Sequence, residues 1–281
     1  MRNLGLILLV CAACSGPSAT REPEPADSQQ KPLPDVIKGQ EEGLTEERDT
    51  VEVTDTRAVP EVRPGDAEEL ERVWELYRRG DPRWSLERDR YKSRGEGAAY
   101  LLSAQLLRLY MRVNAERARY PKQLVAVKRE IVEVGPVGAP ALVDLMILDR
   151  IRMRDDQWFH PDDITRSDCQ EMLEGMGAGA TPYLMRALKR KDIGLMARRL
   201  LAGTLGGTQD PRAYDTLVYL LRKDAAWQVR ADAASALSAL GDRRAVVPLT
   251  EAVKTDDDDF VVRQAGKAKL ELLEAGSGKR N

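Results

Sequence analysis

The chain has 281 residues, 44 basic against 46 acidic side chains, a net charge of −2, one histidine and 5% aromatic residues. Balanced charge of this kind excludes a nucleic-acid clamp and a binder of polyacidic ligands. Cys11, Cys14 and Cys169 are its cysteines, and with only Cys169 beyond the leader the folded part can close no internal disulfide and must hold by packing.

The chain begins MRNLGLILLVCAAC, with Arg2 as a positive start, an apolar run from Leu4 to Val10, and small residues after it. The run is too short to span a membrane as a stable helix, and it has the three regions of an export signal. Its ending resembles the lipobox of bacterial lipoproteins, in which a cysteine after two small residues is lipidated and becomes the new N-terminus. The resemblance implies a signal peptide over residues 1–13 and lipid attachment at Cys14, with Cys11 standing where leucine is usual. An ordinary secretory signal cleaved near Ala13 or Gly16 is the alternative. Ser15, rather than aspartate, after the cysteine implies the outer membrane of a two-membrane cell envelope, facing the periplasm.

Residues 14–65 carry seven prolines and no aromatic residue, and twelve acids oppose six bases. So little apolar surface cannot offset the entropy of ordering, and the stretch reads as a disordered tether. An irregular helical region over residues 66–120 follows. Asp66 is an N-cap candidate for a helix to Arg79 with the stripe Leu70, Val73, Trp74 and Tyr77, ended by Gly80-Asp81-Pro82. A short segment with Trp84, Leu86 and Tyr91 leads to a long helix expected over Ala98 to Tyr120. Pro121 suits the first position of the next helix, to about Val134. Gly135 to Gly138 turns the chain, and Ala139 to about Ile151 returns it.

From there the chain repeats. At a step of 32 residues Asp192, Asp224 and Asp256 share a column, Ala197-Arg198 lies under Val229-Arg230, and Leu205 under Leu237. One extra residue brings in Val262-Arg263 and Leu270; backwards the step reaches Thr165-Arg166 and Leu173. Asp210, Arg212, Ala213 and Leu217 lie under Asp242, Arg244, Ala245 and Leu249. The period suits two helices of about a dozen residues plus two turns. Neither helix can bury its apolar face alone, and stacked pairs can, which gives an all-α solenoid over residues 121–275 with a disordered tail at 276–281. The run VRADAASALSALGDRRAVVPL from Val229 to Leu249 resembles a HEAT repeat of the short variety called phycobilisome lyase HEAT-like. That resemblance implies an α-α superhelix that binds other molecules, and an arginine-aspartate ladder between neighbouring units.

Candidate chemistry is sparse. The insert RIRMRDDQWFH from Arg150 to His160 breaks the period and holds Trp158 and Phe159, a candidate protein-docking loop. His160 with nearby aspartates has residue types suited to a metal, but its column places it in a turn before a helix. Arg190, Lys191, Arg222 and Lys223 close successive second helices. Each complements its helix dipole, and stacking would line them along one edge as a candidate surface for an acidic partner or phosphate-bearing lipid. Cys169 falls on the apolar stripe with Leu201, Ala233 and Gly266 and is expected buried and inert. No cofactor, metal, nucleic acid or small-molecule substrate is indicated. The expectation is a lipid-anchored, noncatalytic protein-binding scaffold. A HEAT-like subunit of an enzyme or chromophore lyase is the alternative.

Overall fold

The computed structural model describes residues 60–149, 151–152 and 158–277. The signal peptide, Cys14, most of the tether and the last residues of the tail lie outside the described residues.

Three helices precede the repeats: α1 (Asp66–Arg79), α2 (Trp84–Lys92) and α3 (Glu96–Ala115). The α1 stripe buries Leu70, Val73 and Trp74, and Gly80 closes the helix in a left-handed cap at φ 65°. Asp66 does not cap it. The helix starts at Asp66 after Gly65, and the buried carboxylate accepts from the Arg63 amide and from Arg94, while its carbonyl accepts from the Tyr91 hydroxyl. The segment after Pro82 is a full helix, because Trp84 and Tyr91 lie two turns apart and both bury one face. Trp84 packs edge-on against Trp74 and Tyr77, which are themselves stacked at 4.9 Å. The third helix ends at Ala115, five residues before the expected Tyr120, and continues as turns. Pro121 disfavours helical backbone at the residue before it, so the chain unwinds ahead of the next helix.

The solenoid consists of four helix pairs and a half: α4 (Pro121–Val134) with α5 (Ala139–Ile147), α6 (Asp163–Gly175) with α7 (Thr181–Leu188), α8 (Leu195–Gly207) with α9 (Tyr214–Lys223), α10 (Trp227–Leu240) with α11 (Val246–Thr255), then α12 (Asp259–Ser277). Each pair is joined by one turn of 3-10 helix, such as Pro211–Ala213 and Arg243–Ala245. Consecutive first helices pack on one another from α4 to α12, and each second helix packs against the first helix of the next unit. Val229, Ala233, Ala236, Leu237 and Leu240 on α10 are buried as the stripe predicts.

Two corrections to the repeat pattern emerge. The buried residues of α12 are Val261, Ala265, Ala268 and Leu272, whereas Leu270 is 56% exposed. They continue the columns of Val229, Ala233, Ala236 and Leu240 at an unbroken step of 32, so no residue is gained before α12. The core needs small residues at the crossing with α10 and α11, and Ala265 with Ala268, rather than the Val-Arg pair, sets the register. The second correction concerns the insert. α5 stops at Ile147, and the chain forms a two-residue antiparallel ladder in which Ile151 pairs with Phe159 and Arg152 with Trp158.

The arginine column forms rungs between units. Arg198 reaches Asp224 at 2.9 Å, and Arg230 reaches Asp256 at 2.8 Å, each guanidinium crossing to the loop before the next first helix. Arg166 departs from the pattern and turns back to the carbonyls of Met146 and Leu148 and to the Asp149 carboxylate. Because α5 ends early its last carbonyls lack helical partners, and a guanidinium supplies several donors to them.

Candidate functional site

An open groove of about 460 Å³ lies across the first helices α6, α8 and α10. Its origin is the sequence of α8, LMARRLLAGTLGG, with three glycines in its last five residues. At Gly206 a Cβ would stand 2.6 Å from the Cα and carbonyl oxygen of Ala236, so this glycine lets the α8 and α10 backbones nearly touch. At Gly203 the nearest atom to a Cβ is the Gln170 amide nitrogen at 3.9 Å, so the missing side chain leaves space open to solvent. Met196, Leu200, Ala236 and Ala239 complete a floor of apolar and small residues.

The rims are polar. Arg199 on α8 donates to Asp232 on α10 at 2.7 Å, bridging the two helices above the floor. On the other side Gln170 donates to Glu174 at 2.8 Å. No ion pair holds Glu174 among the described residues, so its carboxylate leaves the α6 rim electronegative. Met196 is 55% exposed although it lies on the floor. The arrangement can take up an apolar side chain over the floor and bind polar or cationic groups at the edges.

The expected basic edge is partly consumed within the stack. Arg190, at the end of α7, pairs with Asp192 at 2.9 Å and with Asp144 of α5 at 3.5 Å. Arg222 of α9 pairs with Glu251 of α11. These guanidiniums tie successive second helices together, whereas Lys191 and Lys223 are exposed. Within the Arg150 to His160 insert, Trp158 and Phe159 form one strand of the short ladder, pairing with Arg152 and Ile151. His160 meets the Asp149 carbonyl at 3.2 Å, and the cap of α6 is Asp162, which accepts from the Thr165 amide. Among the described residues no group of three His, Cys, Asp or Glu side chains is placed to hold a metal ion. Cys169 is fully buried, and burial pushes its thiol above the ordinary range, so it stays protonated.

Residues 181–268 match the family model for HEAT repeats. That span is similar to HEAT repeats, and its helices stack as successive pairs. No curated protein matches the chain. The HEAT-repeat match runs from the start of α7 into α12, so two walls of the groove, α8 and α10, lie inside it and the third, α6, lies before it. HEAT repeats are commonly protein-interaction scaffolds. The groove was missed from sequence because the stripe on α8 reads as continuous; the signal was there in Gly203, Gly206 and Gly207, which weaken a helix by about 1 kcal/mol each without a packing reason.

Proposed function

We propose that this chain is a noncatalytic protein-binding scaffold of the bacterial cell envelope, anchored at the outer membrane through a lipid on Cys14, that takes a protein segment into the groove over α6, α8 and α10. The observation that carries the reading is the groove itself: an apolar floor opened by Gly203 and left exposed between charged rims. Protein partners bury apolar anchors in such pockets and use the polar rim for register. The sequence features read above as an export signal, and the proline-rich composition behind them, support the anchor, since a flexible chain of some 50 residues would reach roughly 40 Å from a membrane surface.

Gly203→Trp is the sharpest probe, because a Cβ there would meet only the end of the Gln170 side chain, at 3.9 Å, and the indole would fill the groove. In envelope fractions we expect a defined crosslinked adduct of the wild type to fall at least fivefold in Gly203→Trp. It should persist in Trp158→Ala and in the Lys191→Glu/Lys223→Glu pair, which test the hairpin and the basic edge. An adduct unaffected by Gly203→Trp and lost in either of the others moves the site to that surface. Intact-mass measurement of the membrane-purified chain tests the anchor: an acylated N-terminal cysteine is expected, and a free serine or glycine N-terminus defeats it.

A further inference from the structure

The groove has two unlike ends. Contacts across it run at matching levels: Arg199 meets Asp232 near the helix starts, a Cβ at Gly203 would meet Gln170, and Gly207 lies against Glu174 near the helix ends. The first helices α6, α8 and α10 therefore run in the same direction, and their C-termini gather at one end of the groove. Carbonyls at a helix C-terminus carry a partial negative charge, which a basic residue in the last turn commonly offsets. The second helices follow that rule, with Arg186 closing α7, Arg222 and Lys223 closing α9 and Lys254 closing α11. None of α6, α8 and α10 carries a basic residue in its last turn.

Glu174 adds a carboxylate at this end. At Gly207 a Cβ would stand 2.5 Å from the Glu174 Oε1, so the glycine makes the space in which that oxygen lies over α8. Gln170 donates to the same oxygen at 2.8 Å and holds it there. The cation in the lining, Arg199, is bound to Asp232 and sits roughly 12 Å nearer the helix starts, too far to neutralise Glu174. Gly203, where the floor is open, and Gly207, beneath the carboxylate, are about one helical turn apart, roughly 6 Å along α8. Alternate residues of an extended chain lie about 6.6 Å apart and face the same way. A segment crossing the groove can thus lower an apolar side chain over Gly203 and set a cationic one on Glu174 two residues away.

We propose that the groove selects a basic-apolar protein segment, in which lysine or arginine stands two residues from a large apolar side chain. This names the partner chemistry of the docking groove proposed above and rests on that reading. The floor takes the anchor, and Glu174 with the carbonyl ends of the first helices supplies the complementary charge. An acidic residue at the same place would face like charge, which rejects it.

Short random peptides displayed on phage, panned on the full-length chain and depleted on Gly203→Trp, read the outcome. Retained sequences should be enriched about fivefold or more in Lys or Arg two residues from Phe, Leu, Ile or Met. Glu174→Gln keeps an acceptor for Gln170 and removes the charge. A synthetic retained peptide should bind this variant about tenfold more weakly than the wild type by fluorescence anisotropy, with the circular dichroism spectrum unchanged. Glu174→Lys should instead retain peptides with Asp or Glu at that place. Retained sequences without a basic excess, or equal affinity for the wild type and Glu174→Gln, overturn the proposal and leave the groove as a docking site. If no sequence binds the wild type better than Gly203→Trp, the groove reading itself falls, and this proposal with it.

Discussion

At Gly206 two effects of opposite sign compete. Replacing a helical glycine by alanine gains up to about 1 kcal/mol in helix propensity. At this position the new methyl would lie 2.6 Å from backbone atoms of α10, and overpacking of that kind costs about 1 to 3 kcal/mol or more. Backbone cannot rotate away, so the clash wins. Urea denaturation should show Gly206→Ala destabilised by about 2 kcal/mol. Gly203→Ala, three residues earlier and facing solvent, should be neutral or stabilised by up to about 1 kcal/mol. Equal effects at the two glycines would mean that α8 and α10 are not in the close contact described. The buried stripe of α10 was legible in the sequence because alanines and leucines at spacings of three and four can serve only as packing. The distinct duties of Gly203 and Gly206 were not, since they depend on which neighbouring helix each glycine meets.

The aspartates of the turns add a dependence on pH. Arg212 beside Asp210, Arg244 beside Asp242 and Arg190 beside Asp192 hold these carboxyls below the ordinary aspartate range. Asp256 is also lowered: burial is the largest single influence and opposes the shift, but the hydrogen bond and charge of Arg230, the Asp258 amide and a hydrogen bond with Asp257 together outweigh it. A carboxyl whose folded value is depressed contributes stability that is fully present above the unfolded value of about 3.9 and is lost as pH falls through the folded one. For these groups the thermal midpoint should stay level from pH 7 to about 5 and drop between about pH 4 and 2. Arg230→Met should be less stable at neutral pH and show a shallower acid drop; a parallel curve would remove the Asp256 rung from the account.

At the scale of elements, the N-terminal helices are fastened to the solenoid by polar contacts inside an apolar joint. Arg88 of α2 and Glu130 of α4 form a buried ion pair at 2.7 Å, with side chains 7% and 8% exposed, and the Trp84 indole donates to the same carboxylate at 2.8 Å. Behind it, Asp168 of α6 accepts from the Tyr110 hydroxyl of α3 and from Lys128 of α4. Burial pushes the Tyr110 phenol upward, so it donates as a neutral hydroxyl. Removing one partner of a buried pair leaves the other charged and desolvated, at about 3 to 5 kcal/mol. Arg88→Met should therefore unfold the α1–α2 hairpin from α4 or lower global stability by that order, and Arg88→Met/Glu130→Leu should recover most of the loss. Equal losses in the single and double variants would show that the pair itself contributes little. None of this was readable in advance. Helices α1 and α3 were visible from their stripes, but α2 mixes charges around its whole circumference and reveals its buried side only through Trp84 and Tyr91, and the partners of Glu130 and Asp168 lie 40 residues or more away.

For the whole molecule, the period of 32 residues carried the architecture: it predicts the pairs and the turns between them, while the family resemblance implied the arginine-aspartate rungs found at Arg198 and Arg230. It failed where chemistry other than stacking intervenes, in the early end of α5, the turned-back Arg166 and the small ladder at Ile151 to Phe159. The basic edge was legible as composition, but the ion pairs of Arg190 to Asp144 and Arg222 to Glu251 show part of that charge joining second helices. The groove above α8 is the proposed seat of a bound protein segment. Its most direct test is a photoreactive phenylalanine analogue placed at Met196 on the groove floor, compared with the same residue at exposed Tyr219 on α9, in intact cell envelopes. A discrete adduct from position 196, absent from position 219 and abolished by Gly203→Trp, is the predicted result. Equal adducts from both positions, or an adduct at 196 that survives the filled groove, would contradict it.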